Sequence, residues 1–467
     1  MKDAKGYKYT IMITGNKQPR SWGRYPLVDP REVVPIYWLD EIPDLAQFQQ
    51  PVLPFAYGRS YGDSCLNEDG ITLDVSHLKR FIAFDEEKGL LRCEAGVSLA
   101  EALEVIVPRG WFLPVTPGTK YISVGGAIAN DVHGKNHHRA GTFGCHVTQF
   151  ELLRSDGTHM LCSHDQNREM YRATIGGLGL TGLILWAEFR LLPINGPYID
   201  MERIRYSTLK EFMDISADSD ADFEYTAAWV DCMVGGSSLG RGVFLRGNHE
   251  RSGQYAHKQP RKKMGITIPL DMPSFVLNTL SIKAFNTAYY LAQPSARKVV
   301  PYEPFLYPLD SLHEWNRMYG KRGFMQYQCV VPYKDGFEVM TELLGRISRS
   351  GEGSFLTVLK KFGDVKSPGL LSFPRPGLTL ALDFANNGKK TLDLFNDLDK
   401  IVLQSGGAIY PAKDSRMSPE MFEVSFPNWK TFEQYIDPHF SSSFWRRVTR
   451  SLPDNTTTTT ANGYAKQ

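Results

Sequence analysis

The sequence predicts an α+β protein of two domains, and three observations carry that expectation. At 467 residues the chain is too long for one ordinary hydrophobic core, which points to two or three domains. Residues 50–195 alternate strand-like and helix-like segments, with hairpin turns between several of the strands. After residue 193 the texture changes, and strands and helices return between 323 and 410. With 42% hydrophobic residues, 22% charged and a net charge of +2, the composition is that of a folded chain with no global case for nucleic acid binding.

The elements follow in order. The opening "MKDAKGYKYTIMITGNK" has a short apolar run and no small-residue cleavage site, so it does not read as a signal peptide. "GITLDVSHL" (70–78) reads as a strand, and "FIAFDEEKGLLRCEAG" (81–96) as a hairpin turned at Lys88-Gly89. Ser98 with Glu101 makes a capping box that opens the helix "LAEALEVIV", closed by Pro108 and Gly110. "VTQFELLRSDGTHMLC" (147–162) is a second hairpin, turned at Asp156-Gly157. "GGLGLTG" (176–182) has the spacing of a dinucleotide loop but the wrong context: a helix-like "REMYRATI" precedes it and a strand-like "LILWAEFRLL" follows. A tight glycine turn against a ligand or another backbone is the better account. Residues 200–245 read as mixed strands, 246–300 as irregular, and 451–467 as a disordered tail. No stretch reaches the ~18 apolar residues of a spanning helix. Six cysteines without a Cys-x-x-Cys pair suggest reduced thiols and a cytoplasmic setting, with room for contact with a membrane surface.

The stretch "TPGTKYISVGGAIANDVHGKNHHRAGTFG" (116–144) is rich in glycine and histidine and poor in packing material. Its histidines could hold a metal, its glycines could cradle a phosphate, or it could be a solvated loop. His133 and His137 sit among glycines without a rigid scaffold or an acidic helix, which argues against a metal. Glycines 118, 125 and 126 admit close approach of backbone amides to an anion, and "SVGGAIAND" can open a helix whose N-terminus attracts negative charge. A phosphate-bearing cofactor is therefore the reading the residues favour.

At this point several blocks resemble a known family. "YGRSYGDS" (57–64), "PGT" (117–119), "SVGGAIANDVHGKNHH" (123–138), "AGTFG" (140–144) and "GGLGLTG" resemble the PCMH-type FAD-binding domain of the vanillyl-alcohol-oxidase flavoproteins. Together with "EWNRMYG" (314–320), "GFMQYQ" (323–328), "SFLTVLKKFG" (354–363), "LSFPRPG" (371–377) and "YPAKDSR" (410–416), they resemble the decaprenylphosphoryl-β-D-ribose 2′-oxidase family more closely. The resemblance implies a PCMH-type FAD domain over 8–196 plus 410–450, with a substrate domain on an antiparallel sheet inserted at 197–409. It implies FAD contacts from Gly58, Arg59, Ser60, Tyr61, Gly62 and Asp63, and from Gly118, Thr119, Ser123, Val124, Gly125 and Gly126. Asn130, Asp131, Val132, His133, Gly182, Ile184 and Tyr410 complete that set. Many relatives tether FAD through a histidine where this chain has Tyr61, so the resemblance implies non-covalent FAD.

The resemblance places His133, Lys135, Trp229, Tyr319, Gln326, Gln328 and Lys360 at the substrate, and Lys413 as the catalytic group facing flavin and substrate. Each has a plainer reading. Trp229 is also a natural core aromatic, and Gln326 and Gln328 also suit a wet sheet face. Lys360 also suits solvent, and Lys413 also suits a surface ion cluster with Asp414 and Arg416. Two positions depart from the family: its pocket cysteine reads Ala381, and a nearby asparagine reads Thr379. Residues 241–263 carry seven Lys/Arg against Glu250 alone and lead into an apolar, proline-broken stretch (264–292). That pairing suits a lipid with an anionic headgroup and a greasy tail, and equally a mobile loop. The implied reaction is oxidation of a secondary hydroxyl on a polyprenyl-phosphate pentose. An NADH-dependent short-chain reductase partner would then complete an epimerisation. The alternative enzyme is a PCMH-type alditol or sugar-lactone oxidase of small free sugars, and a third reading is a flavoprotein that binds without catalysis.

Overall fold

The computed structural model describes residues 18–450 apart from 256–257, 259–264 and 274. The expected tail at 451–467, residues 8–17 of the first domain, and the N-terminal stretch lie outside the described residues, as do His257 and the basic cluster 261–263.

Three short strands, β1 (Glu32–Pro35), β2 (Val52–Phe55) and β3 (Ile71–Asp74), pair in parallel in the order β1-β3-β2. Five antiparallel strands follow. They are β4 (Phe81–Asp85), β5 (Leu90–Glu94), β6 (Val147–Leu153), β7 (His159–Ser163) and β8 (Leu183–Arg190), in the order β4-β5-β8-β6-β7. Both expected hairpins form, because Gly89 (φ 62°) and Gly157 (φ 81°) supply the left-handed turn residue that a Cβ would oppose. Helix α1 (Leu99–Ile106) opens with the expected box: Glu101 N–H donates to Ser98 Oγ at 3.1 Å, and Ser98 N–H donates to the Glu101 carboxylate at 2.8 Å. The short helix α2 (Val124–Ala129) is capped by Ser123.

An eight-stranded sheet occupies 198–409. Its strands are β9 (Tyr198–Tyr206), β10 (Tyr225–Val230), β11 (Gly242–His249), β12 (Ala296–Pro301), β13 (Phe324–Val331), β14 (Thr357–Phe362), β15 (Gly377–Ala385) and β16 (Ala408–Ile409). Their order is β12-β9-β11-β10-β14-β15-β13-β16. Residues expected to be mixed strands or irregular also hold two helices, α3 (Leu209–Ser219) and α4 (Thr279–Ala292). The prolines that suggested a broken segment, Pro269 and Pro273, lie upstream of α4, which starts cleanly at an Asn278 capping box. Helices α5 (Gly336–Ser350) and α6 (Lys389–Gln404) cover one face of the sheet.

Period-two alternation divides each strand between its two faces. Tyr327 and Cys329 of β13, Leu359 of β14, and Leu380, Leu382 and Phe384 of β15 pack with Leu343, Leu344, Ile347 and Leu398 of α5 and α6. Each such buried side chain contributes about 1.5–3 kcal/mol. The residues between them, Gln326, Gln328, Val358, Lys360, Thr379, Ala381 and Asp383, face a cavity. The opposite wall of that cavity is built from the glycine segments of 58–184.

Candidate active site

The cavity has a volume of about 1270 Å³. That exceeds the ~300–1,000 Å³ of an ordinary small-molecule site and suits a large cofactor with a second ligand beside it. Its first wall is backbone. Gly58–Tyr61, Pro117–Thr119, Ser123, Gly125, Gly126, Asn130, Val132, His133, Gly179, Gly182 and Ile184 line it. Geometry requires glycine at one of these positions and favours it at another. Gly58 has φ 58°, and a Cβ on it would lie 2.2 Å from the Arg20 carbonyl oxygen; a Cβ on Gly125 would press at 3.0 Å against the Ala95 Cβ.

The amides of Gly58, Arg59, Ser60, Gly118 and Thr119 donate to no group among the described residues, which leaves five donors beside the cavity. The buried Arg59 guanidinium stacks at 3.9 Å over the Trp22 ring, and its Nε has no partner among the described residues. Unpaired amides with an adjacent cation fit the pyrophosphate of a dinucleotide. The expected helix N-terminus does not contribute in the same way. The first amides of α2 are already used: Val124 donates to Val97 O (2.8 Å), Gly125 to Ala95 O (2.8 Å) and Gly126 to Ser123 Oγ (3.1 Å). The anion cradle is therefore made by loops rather than by a helix dipole.

The second wall is side chains on the sheet. Lys413, following β16, places its ammonium 3.4 Å from the centre of the Tyr61 ring. Its sequence neighbour is not its partner. Asp414 accepts from Arg447 Nη2 at 2.8 Å, and Arg447 also pairs with Asp63 at 2.8 Å, while Arg416 pairs with Asp399. The surface-cluster reading of Lys413 is thereby overturned. The carboxylate facing it electrostatically is Asp383, which also accepts from Gln326 Nε2. Burial lifts the Asp383 carboxyl above the usual carboxylate range, and the Gln326 hydrogen bond and the Lys413 charge oppose it. Burial likewise lowers the Lys413 ammonium, with the Asp383 charge restoring part of the loss.

Lys360 approaches His133 Nδ1 at 3.1 Å and donates to the Gly134 carbonyl at 3.1 Å; Gln328 Nε2 meets His133 Nε2 at 3.0 Å. Burial first, and the Lys360 charge second, hold His133 well below the ordinary histidine range, so the ring is a clamped neutral imidazole. Burial brings Lys360 down to about 7, helped by Lys135 and Lys413, and brings Lys135 down to about 7. Lys135 donates to the carbonyls of Phe305 and Leu306. Lys135, Lys360 and Lys413 share the cavity with Arg59 and Arg203 against Asp310, Glu314 and Asp383, so basic groups outnumber carboxylates on its lining and favour an anionic occupant. His137 does not converge with His133 on a metal geometry: both its ring nitrogens are buried without partners, and among the described residues no cluster could hold a metal ion.

Beyond the lysines the floor turns apolar. Trp229 reaches the cavity as an interior aromatic, donating Nε1 to the Phe355 carbonyl at 3.0 Å with its ring 4.7 Å from Tyr289. Tyr410 lines the cavity and donates to Asn130 O at 2.9 Å.

Five expected contacts do not line the cavity. Gly62 lies against the backbone of residue 414, where a Cβ would be 1.8 Å from the carbonyl oxygen. Asp63 is held by Arg447. Val124 is fully buried in the core. Asp131 accepts from Gly144 N–H at 2.9 Å and from the hydroxyls of Ser367 and Ser372, so it ties loops together behind the wall. Tyr319 is stacked between Phe324 (4.4 Å) and Phe355 (5.7 Å), one layer below the surface of the pocket. The basic run is also less free than its composition suggests: Arg241 pairs with Asp231 and Arg246 with Glu202. Asp383 was missed altogether. Its signal was present, a single carboxylate in the apolar strand "LTLALDF", because a buried charge needs a partner or a task.

Comparison with known proteins bears on this site directly. The signature of an FAD binding domain matches residues 40–163. The chain is 36% identical over 412 residues to the decaprenylphosphoryl-β-D-ribose oxidase of Mycolicibacterium smegmatis, covering 85% of this chain and 89% of that protein. It is 32% identical over 374 residues to an uncharacterized protein in the mprA 5′ region of Streptomyces coelicolor, covering 75% of this chain and 100% of that one. Likeness to the L-gulonolactone oxidase of Mus musculus is 28% over 148 residues, 31% of this chain and 32% of that enzyme. The protein is accordingly an FAD-binding oxidoreductase of α+β fold.

Proposed function

The chain belongs to the decaprenylphosphoryl-β-D-ribose oxidase family, and from that premise we propose that it oxidises the 2′-hydroxyl of decaprenylphosphoryl-β-D-ribose, or of a closely related polyprenyl-phosphate sugar, to the 2′-ketone. The observation that carries the reading is one cavity in which a glycine-built wall meets a sheet floor running from Lys360 to apolar side chains, with Lys135 and Lys413 at its edges. Bound against the loops at 58–61 and 117–119, FAD would accept the hydride from the sugar carbon.

The chain's own groups do the rest. Lys413 is the catalytic residue in this reading. Its ammonium stabilises negative charge as the hydroxyl proton passes to solvent, and the Asp383 charge restores part of what burial takes from that ammonium. Lys360 and Lys135 face the anionic phosphodiester; the Gln328–His133–Lys360 chain orients the first and the Phe305 and Leu306 carbonyls the second. The cofactor domain in this reading is 8–196 plus 410–450, with the substrate domain between. FAD is held without a covalent bond in this reading, since Tyr61 stands where many relatives carry the tethering histidine. Acid precipitation should then leave the flavin in the supernatant, and flavin sedimenting with the protein contradicts the point.

The keto sugar is the first half of an epimerisation to the arabinose form, which a separate NADH-dependent reductase would finish. Among the described residues no helix is long and apolar enough to cross a membrane. Contact with a membrane surface is proposed through Leu270, Phe275 and Leu280, which are 75–77% exposed. A small free sugar, the alternative substrate, would leave the apolar floor uncovered. The direct test is anaerobic mixing with decaprenylphosphoryl ribose while flavin absorbance is followed. Bleaching within turnover time is expected, and an unchanged spectrum overturns the assignment.

A further inference from the structure

We infer that the polyprenyl tail of the substrate lies inside the protein, in a channel between the floor of the eight-stranded sheet and helix α4. This rests on the reading of the site as one for a polyprenyl-phosphate sugar. Strand register places Gln328, Ala381, Val358, Trp229 and Val243 directly opposite one another on β13, β15, β14, β10 and β11. They form one cross-strand row on the cavity face. Four inter-strand steps of ~4.8 Å make this row about 19 Å long.

Its chemistry changes along its length. Gln328 touches His133 beside the flavin-facing loops. From Ala381 onwards the row carries only small or apolar groups and one indole, and Leu245 and Met201 extend the apolar surface. This chain's alanine at 381 lowers the first step of that row.

The roof has matching geometry. Ile282, Phe285, Tyr289 and Gln293 recur at helical spacing on the inner side of α4 and at its end, and all face the cavity. Asn286 pins this face to the sheet by donating to Asp231 (3.2 Å) and to the Ser354 carbonyl (3.1 Å). At the far end Arg203 of β9 donates to Gln293, so floor and roof meet there through a polar contact.

Among the described residues nothing covers this surface. Val358, on a central strand, is 38% exposed, Phe285 of the roof is 49% exposed, and Val276 before α4 is 38% exposed. Apolar side chains left open inside a sheet-and-helix sandwich call for an apolar occupant. The occupant is the prenyl chain, because the row begins where the lysine cluster holds the phosphate. Each buried methylene is worth about fourfold in affinity, so the tail dominates binding as far as the channel reaches.

The test uses the holoenzyme and phosphoryl-ribose substrates with prenyl tails from two to ten isoprene units. For the native protein, kcat/KM for flavin reduction should climb steeply with the first units and flatten once the tail outruns the row. A flat dependence from the shortest tail upward overturns the channel. Val243→Trp fills its distal part, and Leu245→Phe is a milder block should the first variant lose FAD. In either, the preference for the ten-unit over the two-unit substrate should fall at least tenfold, with KM rather than kcat carrying the change. Unaltered preference in a variant that retains FAD and its melting temperature also overturns it. If no phosphoryl ribose of any length reduces the flavin, the functional reading fails and the channel falls with it. If all lengths reduce it equally, only the channel fails.

Discussion

The two walls of the cavity bind by opposite means. The loop wall presents glycines and, at 58–60 and 118–119, amides without partners among the described residues, and few of its side chains carry chemistry. The sheet wall presents Gln326, Gln328, Lys360, Asp383 and, past β16, Lys413, each supported by a neighbour on another strand or loop. A backbone wall recognises a constant partner, and its failures are geometric. A side-chain wall sets charge and specificity, and its failures are chemical. Substitutions on the two sides should therefore separate cofactor content from rate.

The largest effect should come from the sheet wall. Lys413→Met keeps the length and removes the charge, so flavin reduction should slow by about 10²–10³ while FAD stays bound. Single-turnover reduction checks this, and a near-normal rate would remove Lys413 from the catalytic list. On the loop wall, Gly58→Ala imposes a left-handed conformation on a residue with a Cβ, costing roughly 1–2 kcal/mol before the clash with the Arg20 carbonyl is counted. The expected outcome is loss of FAD on gel filtration, with whatever holoenzyme remains reacting at the native rate. A variant that keeps its FAD but reacts slowly would break the division between the walls.

Asp383→Asn should move a pH profile. The carboxylate raises the Lys413 ammonium, so its loss lowers that group further. The limb of the flavin-reduction profile that needs protonated Lys413 should shift to lower pH. An unmoved limb would detach Asp383 from the lysine.

The last effect is on stability rather than on rate or cofactor content. Lys360 titrates near 7 in the folded chain against 10.5 when free. Between those values the unfolded chain binds the extra proton, so this group makes the cofactor-free protein more stable as pH rises from 7 towards 10. Lys360→Met should flatten the rise in melting temperature across that window. An unchanged slope would mean that the ammonium is solvated.

Much of the loop wall was legible in the chain. Glycine at 58 and 125, the capping box at Ser98 and the two hairpins are local rules, and each forms where its residues stand. Local rules also misled. The helix-start pattern at Ser123 was read correctly, yet its free amides were spent on Ala95 and Val97 from a segment some thirty residues away. Adjacent Lys413 and Asp414 invited a pairing that the backbone forbids, because Lys413 turns to Tyr61 and Asp414 to Arg447.

By itself, then, the sequence determined the turns, the caps, the alternation of each strand and the presence of a glycine-lined cofactor site. These depend on φ/ψ preferences and side-chain periodicity over a few residues. Only the tertiary structure decided that Asp383 faces Lys413, that Tyr319 lies one layer below the pocket, and that the row from Gln328 to Val243 is continuous. Those facts depend on a strand order, β13-β15-β14-β10-β11, that joins residues as far apart in the chain as Trp229 and Val358. Such pairing is selected by burial of the whole face against α3, α5 and α6, a property that no single stretch of the chain possesses.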